Sequence, residues 1–287
     1  MQRLSSLLVL LIALVLTRPS HAAEPAAADN ARDNTAKKIL LIGAEKDGHP
    51  YRTHEYMPVC EVLAKCLRQT EGVEPVVSRG WPTDAAVAAG ASSIVVYVPW
   101  GANTLFEGPQ RGQVKQLLDD GAGLVALHWA TGAEKDEYGQ LWLDQLGGWF
   151  HTDFSPIQHL ERRLHIADPH HPIARGVSDF TLFDEFYFKL RFADGAKPLV
   201  TVDFEGSPQT IAWTYVRPGS QADDKAGRSF GCDAGHYHKN FGNDYFRRLV
   251  INGILWTAHV EIPAGGAPAN LAPADLELPA PVAPAAR

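Results

Sequence analysis

The sequence predicts an α/β fold in which helices cover both faces of a mostly parallel, doubly wound sheet. Continuous apolar runs that end at Gly or Trp are typical of strands buried on both faces. Amphipathic segments separate several of these runs, and such alternation of strands and helices is typical of parallel sheets. Beyond Gly148 the extended runs follow one another more closely, which indicates a mixed sheet in the C-terminal part.

The N-terminal half contains four predicted strands, at residues 37–44, 76–78, 93–99 and 123–129. Between the first two, apolar side chains at Tyr56, Val59, Cys60 and Leu63 follow the spacing of a core-facing helix. A second helix is predicted at residues 110–120, before the fourth strand. In the C-terminal half we expect extended runs at residues 163–166, 197–203, 211–216 and 228–233, and a closing helix at residues 244–258.

The first 22 residues are typical of a Sec-type signal peptide. Arg3 precedes an apolar run at residues 7–16, and Ser20 and Ala22 provide small residues for cleavage after Ala22. The run is too short for the roughly 20 residues of a membrane-spanning helix, although a retained anchoring helix is the alternative. We therefore expect an exported chain, periplasmic or secreted, with no membrane span.

Two further segments are not expected to fold. Residues 23–35 read as a disordered linker and residues 263–287 as a disordered tail rich in Pro and Ala, because neither shows hydrophobic periodicity. The remaining residues, 36–262, have the length of one domain and contain no internal repeat.

Composition and absent motifs exclude several classes of function. The formal charge is −7, and removal of Arg3 and Arg18 with the signal peptide changes it to −9, so nucleic acid is not an expected partner. There is no phosphate-binding loop, dinucleotide fingerprint or paired C-x-x-C, so nucleotide cofactors and structural zinc are not expected. Of the three cysteines, Cys60 and Cys66 lie too far apart along one helix to form a disulfide.

His128 is the first candidate for chemistry. Ligands of open α/β sheets bind outside the carboxyl ends of the strands, and His128 ends the fourth predicted strand just before the small residues Ala130, Thr131 and Gly132. Hydrolases of related architecture place a nucleophile at such a turn. An imidazole serves instead as general base, general acid or metal ligand. The alternative is a hydrogen-bonded histidine without a chemical role.

Other candidates lie near the ends of predicted strands, each with a structural alternative. They are His54 and Glu55 at the start of the first helix, Asp184 and Glu185 in an aromatic run, and His236 and His238 after the strand at 228–233. Burial would raise the pKa of a carboxyl in the aromatic run. If the strand at 228–233 continues, alternation would direct His236 and His238 to one side, and the alternative is a loop with unrelated histidines. Three aromatic residues are candidates for stacking on a sugar, although most aromatic side chains belong to the core: Trp100, Trp129 and Tyr187.

Seven segments in this order resemble the ThuA-like (trehalose utilisation) family over residues 37–258. They are KILLIGA, HEY, GLVALHWA, HPIARGV, DEFY, AGHY and FRRLVINGILWTA. The resemblance implies a three-layer α/β/α, flavodoxin-like fold similar to that of class I glutamine amidotransferases. Those enzymes hold a catalytic cysteine where this chain has His128, so a glutaminase is not expected.

The resemblance also implies a role in disaccharide or glycoside breakdown, on sugars first oxidised to a 3-keto form by a partner dehydrogenase. It places His54, Glu55, His128, Glu185 and His236 in the pocket, as catalytic candidates. Trp100, Trp129, Tyr187 and His238 are the candidates for substrate binding.

Our leading hypothesis is an enzyme that isomerises, epimerises or cleaves keto-sugars or related glycosides. His128 or Glu185 would act as the base, and His54 with His236 would stabilise the oxyanion, alone or through a divalent metal. No cofactor is certain, and a metal could be held by His54, His128 and His236. The alternative is a non-catalytic carbohydrate-binding protein of the periplasm or cell surface, and a scaffold protein is a third interpretation.

Overall fold

A computed structural model describes residues 36–218 and 226–280. The expected signal peptide, the linker at 23–35 and the end of the tail, residues 281–287, lie outside the described residues. Among the helices that are described, none is both long enough and apolar enough to cross a membrane.

The described residues form eleven strands and six α-helices. The strands are β1 (Lys37–Gly43), β2 (Val73–Arg79), β3 (Ser93–Tyr97), β4 (Gly123–Leu127), β5 (Gly148–Trp149), β6 (Ile157–Ile166), β7 (Phe180–Tyr187), β8 (Arg191–Phe192), β9 (Lys197–Phe204), β10 (Ser207–Val216) and β11 (Arg228–Cys232). The helices are α1 (Tyr56–Leu67), α2 (Ala85–Ala88), α3 (Gly101–Phe106), α4 (Arg111–Asp119), α5 (Asp136–Leu146) and α6 (Asp244–Thr257).

Nine strands form one sheet in the order β2-β1-β3-β4-β11-β10-β9-β6-β7. The five strands from β2 to β11 are parallel, and every pairing from β11 to β7 is antiparallel. The carboxyl ends of β1, β3, β4 and β11 therefore lie at one edge of the sheet, where this class of fold binds its ligands. β5 and β8 form a separate two-stranded ribbon.

The layers follow from alternation along the buried strands. In β1, Ile39 and Leu41 pack into a core that contains α1 and α6, whereas Leu40 and Ile42 pack into a second core that contains α3, α4 and α5. Helices thus cover both faces, as the continuous apolar runs indicated. The three-layer α/β/α fold with a mixed sheet is confirmed, with parallel strands in the N-terminal part and antiparallel pairings in the C-terminal part.

The antiparallel part differs most from expectation. β6 starts six residues before the expected run at 163–166, and β7 was not among the expected strands. In β7 the buried series Leu182, Asp184 and Phe186 includes a carboxylate, while the aromatic Phe183 lies on the exposed series. This mixture hides the two-residue period on which a strand prediction depends.

The expectation of a disordered tail is wrong for residues 263–280, which pack against the domain. Ala267 and Ala269 are buried, Arg247 Nε donates to Ala269 O at 2.6 Å, and Ala267 N donates to Asn252 Oδ1 at 2.9 Å. Polar side chains of α6 therefore bind the backbone of the segment. Such anchoring needs small residues and free backbone groups, and it leaves no hydrophobic period in the sequence.

Candidate active site

Three histidines meet at the carboxyl edge of the sheet. His54 lies in the loop after β1, His128 directly after β4, and His236 in the loop after β11. The first and third loops pair through a β-bridge between Thr53 and Tyr237, and His54 N donates to His236 O at 3.1 Å. Residues 182 positions apart in the chain are thereby held side by side.

The ring nitrogens of this cluster face one another. His54 Nε2 lies 3.1 Å from His128 Nε2 and 2.9 Å from His236 Nδ1, and the latter two atoms are 3.2 Å apart. Glu185 of β7 completes the group, with Oε1 3.5 Å from His128 Nε2 and Oε2 3.5 Å from His236 Nδ1. All four candidates come together, and the three histidines are almost fully buried.

The backbone at this edge is strained. His54 has φ of 49°, His128 of 54° and Trp100, after β3, of 46°. Non-glycine residues in this left-handed region cost on the order of 1–3 kcal/mol each, and such residues concentrate at functional sites. The turn at His128 also needs Gly101, because a Cβ there would collide with the carbonyl group of Ala130.

Hydrogen bonds fix the orientation of two of the rings. His128 Nδ1 donates to Asp233 O at 2.7 Å, since a carbonyl oxygen can only accept. His54 Nδ1 lies 3.2 Å from Asp47 Oδ2 and 2.8 Å from the Tyr56 hydroxyl, which itself donates to Asp47. Both rings therefore carry their hydrogen on Nδ1 and direct an Nε2 lone pair into the cluster.

Burial keeps these rings neutral. It lowers the pKa of His54 to about 4 and that of His236 to about 3, and it lowers the pKa of His128 well below the usual value. At neutral pH the lone pairs of His54 Nε2 and His128 Nε2 therefore oppose each other at 3.1 Å without a proton between them. Two lone pairs at this distance repel each other, and a cation bound between them would remove the repulsion.

The donor set fits a divalent transition metal. Bonds of 2.0–2.1 Å at tetrahedral angles would separate ligand nitrogens by about 3.3 Å, close to the observed 2.9–3.2 Å. The carbonyl of Asp233 and the carboxylate of Asp47 orient the rings as outer groups of metal sites do. His54, His128, His236 and Glu185 could thus hold one ion.

The Glu185 carboxylate also reaches toward solvent through His159, which the sequence analysis did not select. His159 Nε2 lies 3.1 Å from Glu185 Oε2, and its Nδ1 lies 3.1 Å from the Tyr237 hydroxyl. The His159 side chain is 46% exposed and that of Glu185 only 12%. Burial raises the pKa of Glu185, which favours a carboxyl group able to accept and return a proton.

Asp184 organises the loop that carries His236. Its fully buried carboxylate accepts backbone hydrogen bonds from Gly235 at 2.7 Å, His236 at 3.1 Å and Glu185 at 3.0 Å. Burial raises the pKa of Asp184 to about 7, with these backbone donors acting in the opposite direction. One side chain of β7 thus connects the two elements that supply Glu185 and His236.

Two candidates lie outside the cluster. Glu55 Oε1 accepts from Arg52 N at 2.8 Å and lies 3.4 Å from Lys46 Nζ, so its carboxylate is engaged by the loop before α1. His238 Nε2 bonds to Leu276 O at 3.2 Å. The expectation that alternation directs His236 and His238 to one side is wrong, because β11 ends at Cys232.

The three aromatic candidates border the cluster. The Trp129 ring centre lies 5.3 Å from that of His54 and 5.4 Å from that of Trp100. The Tyr187 hydroxyl lies 3.0 Å from His128 Nε2, and both tryptophans are partly exposed. His49, which no sequence pattern selected, stacks on His54 with the two ring centres 3.8 Å apart. A sugar that enters here would meet aromatic faces.

Thiol chemistry is disfavoured at this edge of the sheet. Cys60, Cys66 and Cys232 are free and buried, and burial raises the pKa of each thiol, to about 11 for Cys66. A buried neutral thiol is a poor nucleophile. The position directly after β4 carries the His128 imidazole and not a thiol.

Comparisons with known proteins agree with this architecture. The family model ThuA, described as trehalose utilisation, matches residues 40–257. A ThuA-like protein of Bacteroides uniformis superposes with a TM-score of 0.56 and 15% identity, covering 80% of this chain and 95% of that chain. A ThuA-like protein of Parabacteroides merdae superposes with a TM-score of 0.56 and 16% identity, covering 78% of this chain and 90% of that chain. A glutamine amidotransferase of Thermotoga maritima superposes with a TM-score of 0.41 and 9% identity, covering 78% of this chain and 96% of that chain.

No curated protein sequence matches the chain. The likeness to the two ThuA-like structures concerns the fold, whereas the family model spans most of the sequence, including all four residues of the cluster. The chain therefore belongs to the ThuA family of trehalose-utilisation proteins, and this membership implies a role in sugar utilisation.

Proposed function

We propose that the chain is a metal-dependent enzyme that isomerises, epimerises or cleaves keto-sugars or related glycosides by proton transfer. The observation that carries the proposal is the convergence of three neutral imidazole nitrogens within 3.2 Å, with the Glu185 carboxylate beside them. Family membership supports a sugar as the substrate. A partner dehydrogenase would supply the 3-keto form.

The surroundings of the two candidate bases assign different roles to them. His128 is fully buried and directs its Nε2 lone pair at the other rings, so it serves as a ligand. Glu185 lies at the boundary between the cluster and solvent, and it removes a proton from the carbon next to the sugar carbonyl. The electron pair of that C–H bond forms the carbon–carbon double bond of an enediolate.

A bound divalent cation would supply Lewis-acid stabilisation of the negative charge on the carbonyl oxygen. Return of the proton by Glu185 to the neighbouring carbon, with transfer of the hydroxyl proton to the former carbonyl oxygen, isomerises the sugar. Protonation of the original carbon on its opposite face by solvent epimerises it. His159 exchanges protons between Glu185 and solvent. Trp129 excludes water from one side of the site and positions the sugar ring by contact with its apolar face. The buried Tyr187 ring stacks on His128 and keeps that imidazole in position.

The first experiment is metal analysis of the purified chain beside His128→Asn, since Asn tolerates the positive φ of this position. We expect close to one divalent ion per wild-type chain and less than a tenth of that in the variant. The control is His165→Asn, which should keep its metal because His165 is an exposed residue of β6 that pairs with Asp179. Equal metal content in wild type and His128→Asn would remove the metal centre from the proposal.

Turnover is tested separately. Metal-loaded protein is incubated with 3-ketotrehalose in D₂O and followed by NMR. We expect deuterium at the carbon next to the carbonyl group, together with a new sugar product. Calorimetric binding of the sugar, without deuterium exchange or a product over hours, would instead favour the alternative function. That function is a non-catalytic carbohydrate-binding protein that uses the aromatic side chains beside the cluster.

We further propose that this reaction takes place in the periplasm or outside the cell, after cleavage behind Ala22. Arg3, the apolar run at 7–16 and the small residues before Ala23 support export. Expression of the full chain, cell fractionation and N-terminal sequencing test it. Mature protein beginning at Ala23 in the periplasm or medium is expected, and an intact Met1 in the cytoplasm would contradict it.

A further inference from the structure

The cleft over Glu185 and His236 has a volume of about 670 Å³ and is bordered by Arg52 and Lys239. Most of its other polar lining residues are engaged with one another. His159 binds Glu185, and Tyr237 binds His159. Arg52 and Lys239 are charged lining residues to which the proposed chemistry gives no role.

Neither cation forms an ion pair among the described residues. The Arg52 guanidinium lies 5.4 Å from the centre of the Tyr51 ring, and Lys239 Nζ lies 5.5 Å from the Tyr237 ring. Glu277 borders the adjoining cleft without pairing with either. Aromatic faces therefore hold both charges in place while leaving their N–H donors open to the cleft.

Many other cations of this acidic chain have partners. Lys135 pairs with Glu107, and Lys189 with Glu205, although these residues are exposed. With a formal charge of −7, the chain has more carboxylates than cations to pair. Two neighbouring unpaired cations at the mouth of a cleft favour an anionic ligand.

The backbone ties both charges to the histidine cluster. His238 N donates to Arg52 O at 3.0 Å, which places Lys239 on the segment next to Arg52. Arg52 lies two residues before His54, and Lys239 three residues after His236. Their position relative to the reacting groups is thus set by the same paired loops.

We propose that Arg52 and Lys239 form an anion subsite, so that the sugar substrate carries a carboxylate or a phosphate group. This inference rests on the proposed function for the identity of the ligand as a sugar. The planar guanidinium matches the two oxygens of either group, and the ammonium adds a second charge. The acidic group is held at the mouth of the cleft while the reacting carbon lies at Glu185.

Calorimetry on the purified full chain tests the subsite without turnover. The probes are glucuronate, glucose 6-phosphate and glucose. At low salt we expect at least one of the two acids to bind tenfold or more tightly than glucose. Preference for glucuronate alone would assign a carboxylate, and preference for glucose 6-phosphate alone a phosphate.

The double variant R52M/K239M should lose that preference and keep the glucose affinity and the metal content of wild type. Arg68→Met, at the opposite end of α1, is the matched control and should keep the preference. Because an acid could also bind a metal, the titration is repeated on His128→Asn, where the preference should survive.

Equal binding of glucose and both acids, absence of binding of either acid, or an unchanged preference in R52M/K239M would overturn the subsite. Failure to turn over both 3-ketotrehalose and a keto-sugar that carries the preferred acidic group, with the acid preference intact, would overturn the proposed enzyme and leave the subsite standing.

Discussion

The Nε2 atoms of His54 and His128 lie 3.1 Å apart although 74 positions separate these residues in the chain. Each ring is held from behind by an acceptor, the carboxylate of Asp47 for His54 and the carbonyl of Asp233 for His128. The fold thus positions two basic nitrogens against each other in a buried space. Such an arrangement is stable when a cation lies between the nitrogens, which is why we interpret it as a ligand set.

Glu185→Gln should separate proton transfer from metal binding. The amide cannot accept a proton from carbon, so kcat on the keto-sugar should fall by about 10²–10⁴-fold. Three histidines remain as ligands, so the variant should retain most of its metal. Steady-state kinetics and metal analysis are compared with Glu161→Gln, an exposed residue of β6. A variant with kcat within threefold of wild type would show that Glu185 is not the base.

His159→Gln should reduce turnover less than Glu185→Gln. His159 contacts the base at 3.1 Å and is 46% exposed, so its loss slows proton exchange with solvent while Glu185 stays in place. We expect about a tenfold fall in kcat with little change in KM, and partial recovery when imidazole is added to the buffer. His165→Gln, on the same strand, is the control. A rise in KM or a loss of metal, with kcat unchanged, would indicate a structural role.

Asp184→Asn should weaken metal binding without removing a ligand. The amide has one acceptor oxygen, so at least one of the buried N–H groups of Gly235 and His236 loses its partner, at a cost of about 1–3 kcal/mol. Urea denaturation should show this loss, and metal affinity should fall about 10–100-fold because the His236 loop loosens. Asp153→Asn, at an exposed position, should change neither. Unaltered affinity would mean that Asp184 does not position His236.

Stability of the metal-free protein should depend on pH through the buried histidines. The pKa of His54 is about 4 in the folded chain, below the ordinary value of 6.5, so acid favours the unfolded chain. The contribution is present above pH 6.5 and is lost as the pH falls toward 4; between pH 7 and 5 it amounts to about 2 kcal/mol. The raised pKa of Asp184 acts in the opposite direction.

The quantity to measure is therefore the difference between wild type and His54→Asn. Urea denaturation in the presence of a chelator at pH 7 and pH 5 should show a larger loss for wild type. The same loss in both proteins would contradict the lowered pKa.

The sequence could predict those parts of the molecule that rest on local periodicity. α6 and the strands β1 and β4 lie within about two residues of their expected bounds, and α1 carries the expected apolar series. The rule on strand ends selected His54 and His128, and His236 was selected because it follows the predicted strand at 228–233. His159 could not be found in this way. It faces Glu185 because these two residues are register partners between β6 and β7, and register depends on pairing across the sheet. His238 was misplaced because strand alternation was extended past the predicted end of the strand at residue 233, and β11 in fact ends at Cys232.

The packed segment at 263–280 leads to a prediction about stability. A chain that ends at Ile262 would leave the Arg247 Nε donor without its acceptor at Ala269 and Asn252 Oδ1 without its donor at Ala267. Each lost hydrogen bond costs about 0.5–1.5 kcal/mol, and the surface covered by Ala267 and Ala269 becomes exposed, so we expect the free energy of unfolding to fall by about 2 kcal/mol. The segment also supplies Leu276 O to His238, so the paired loops should loosen and metal affinity should fall.

Urea denaturation and metal titration of the chain truncated after Ile262, compared with one truncated after Ala280, measure both effects. The longer chain keeps every contact named above and should match the full protein. Equal stability of the two truncated chains would show that residues 263–280 rest on the domain without stabilising it.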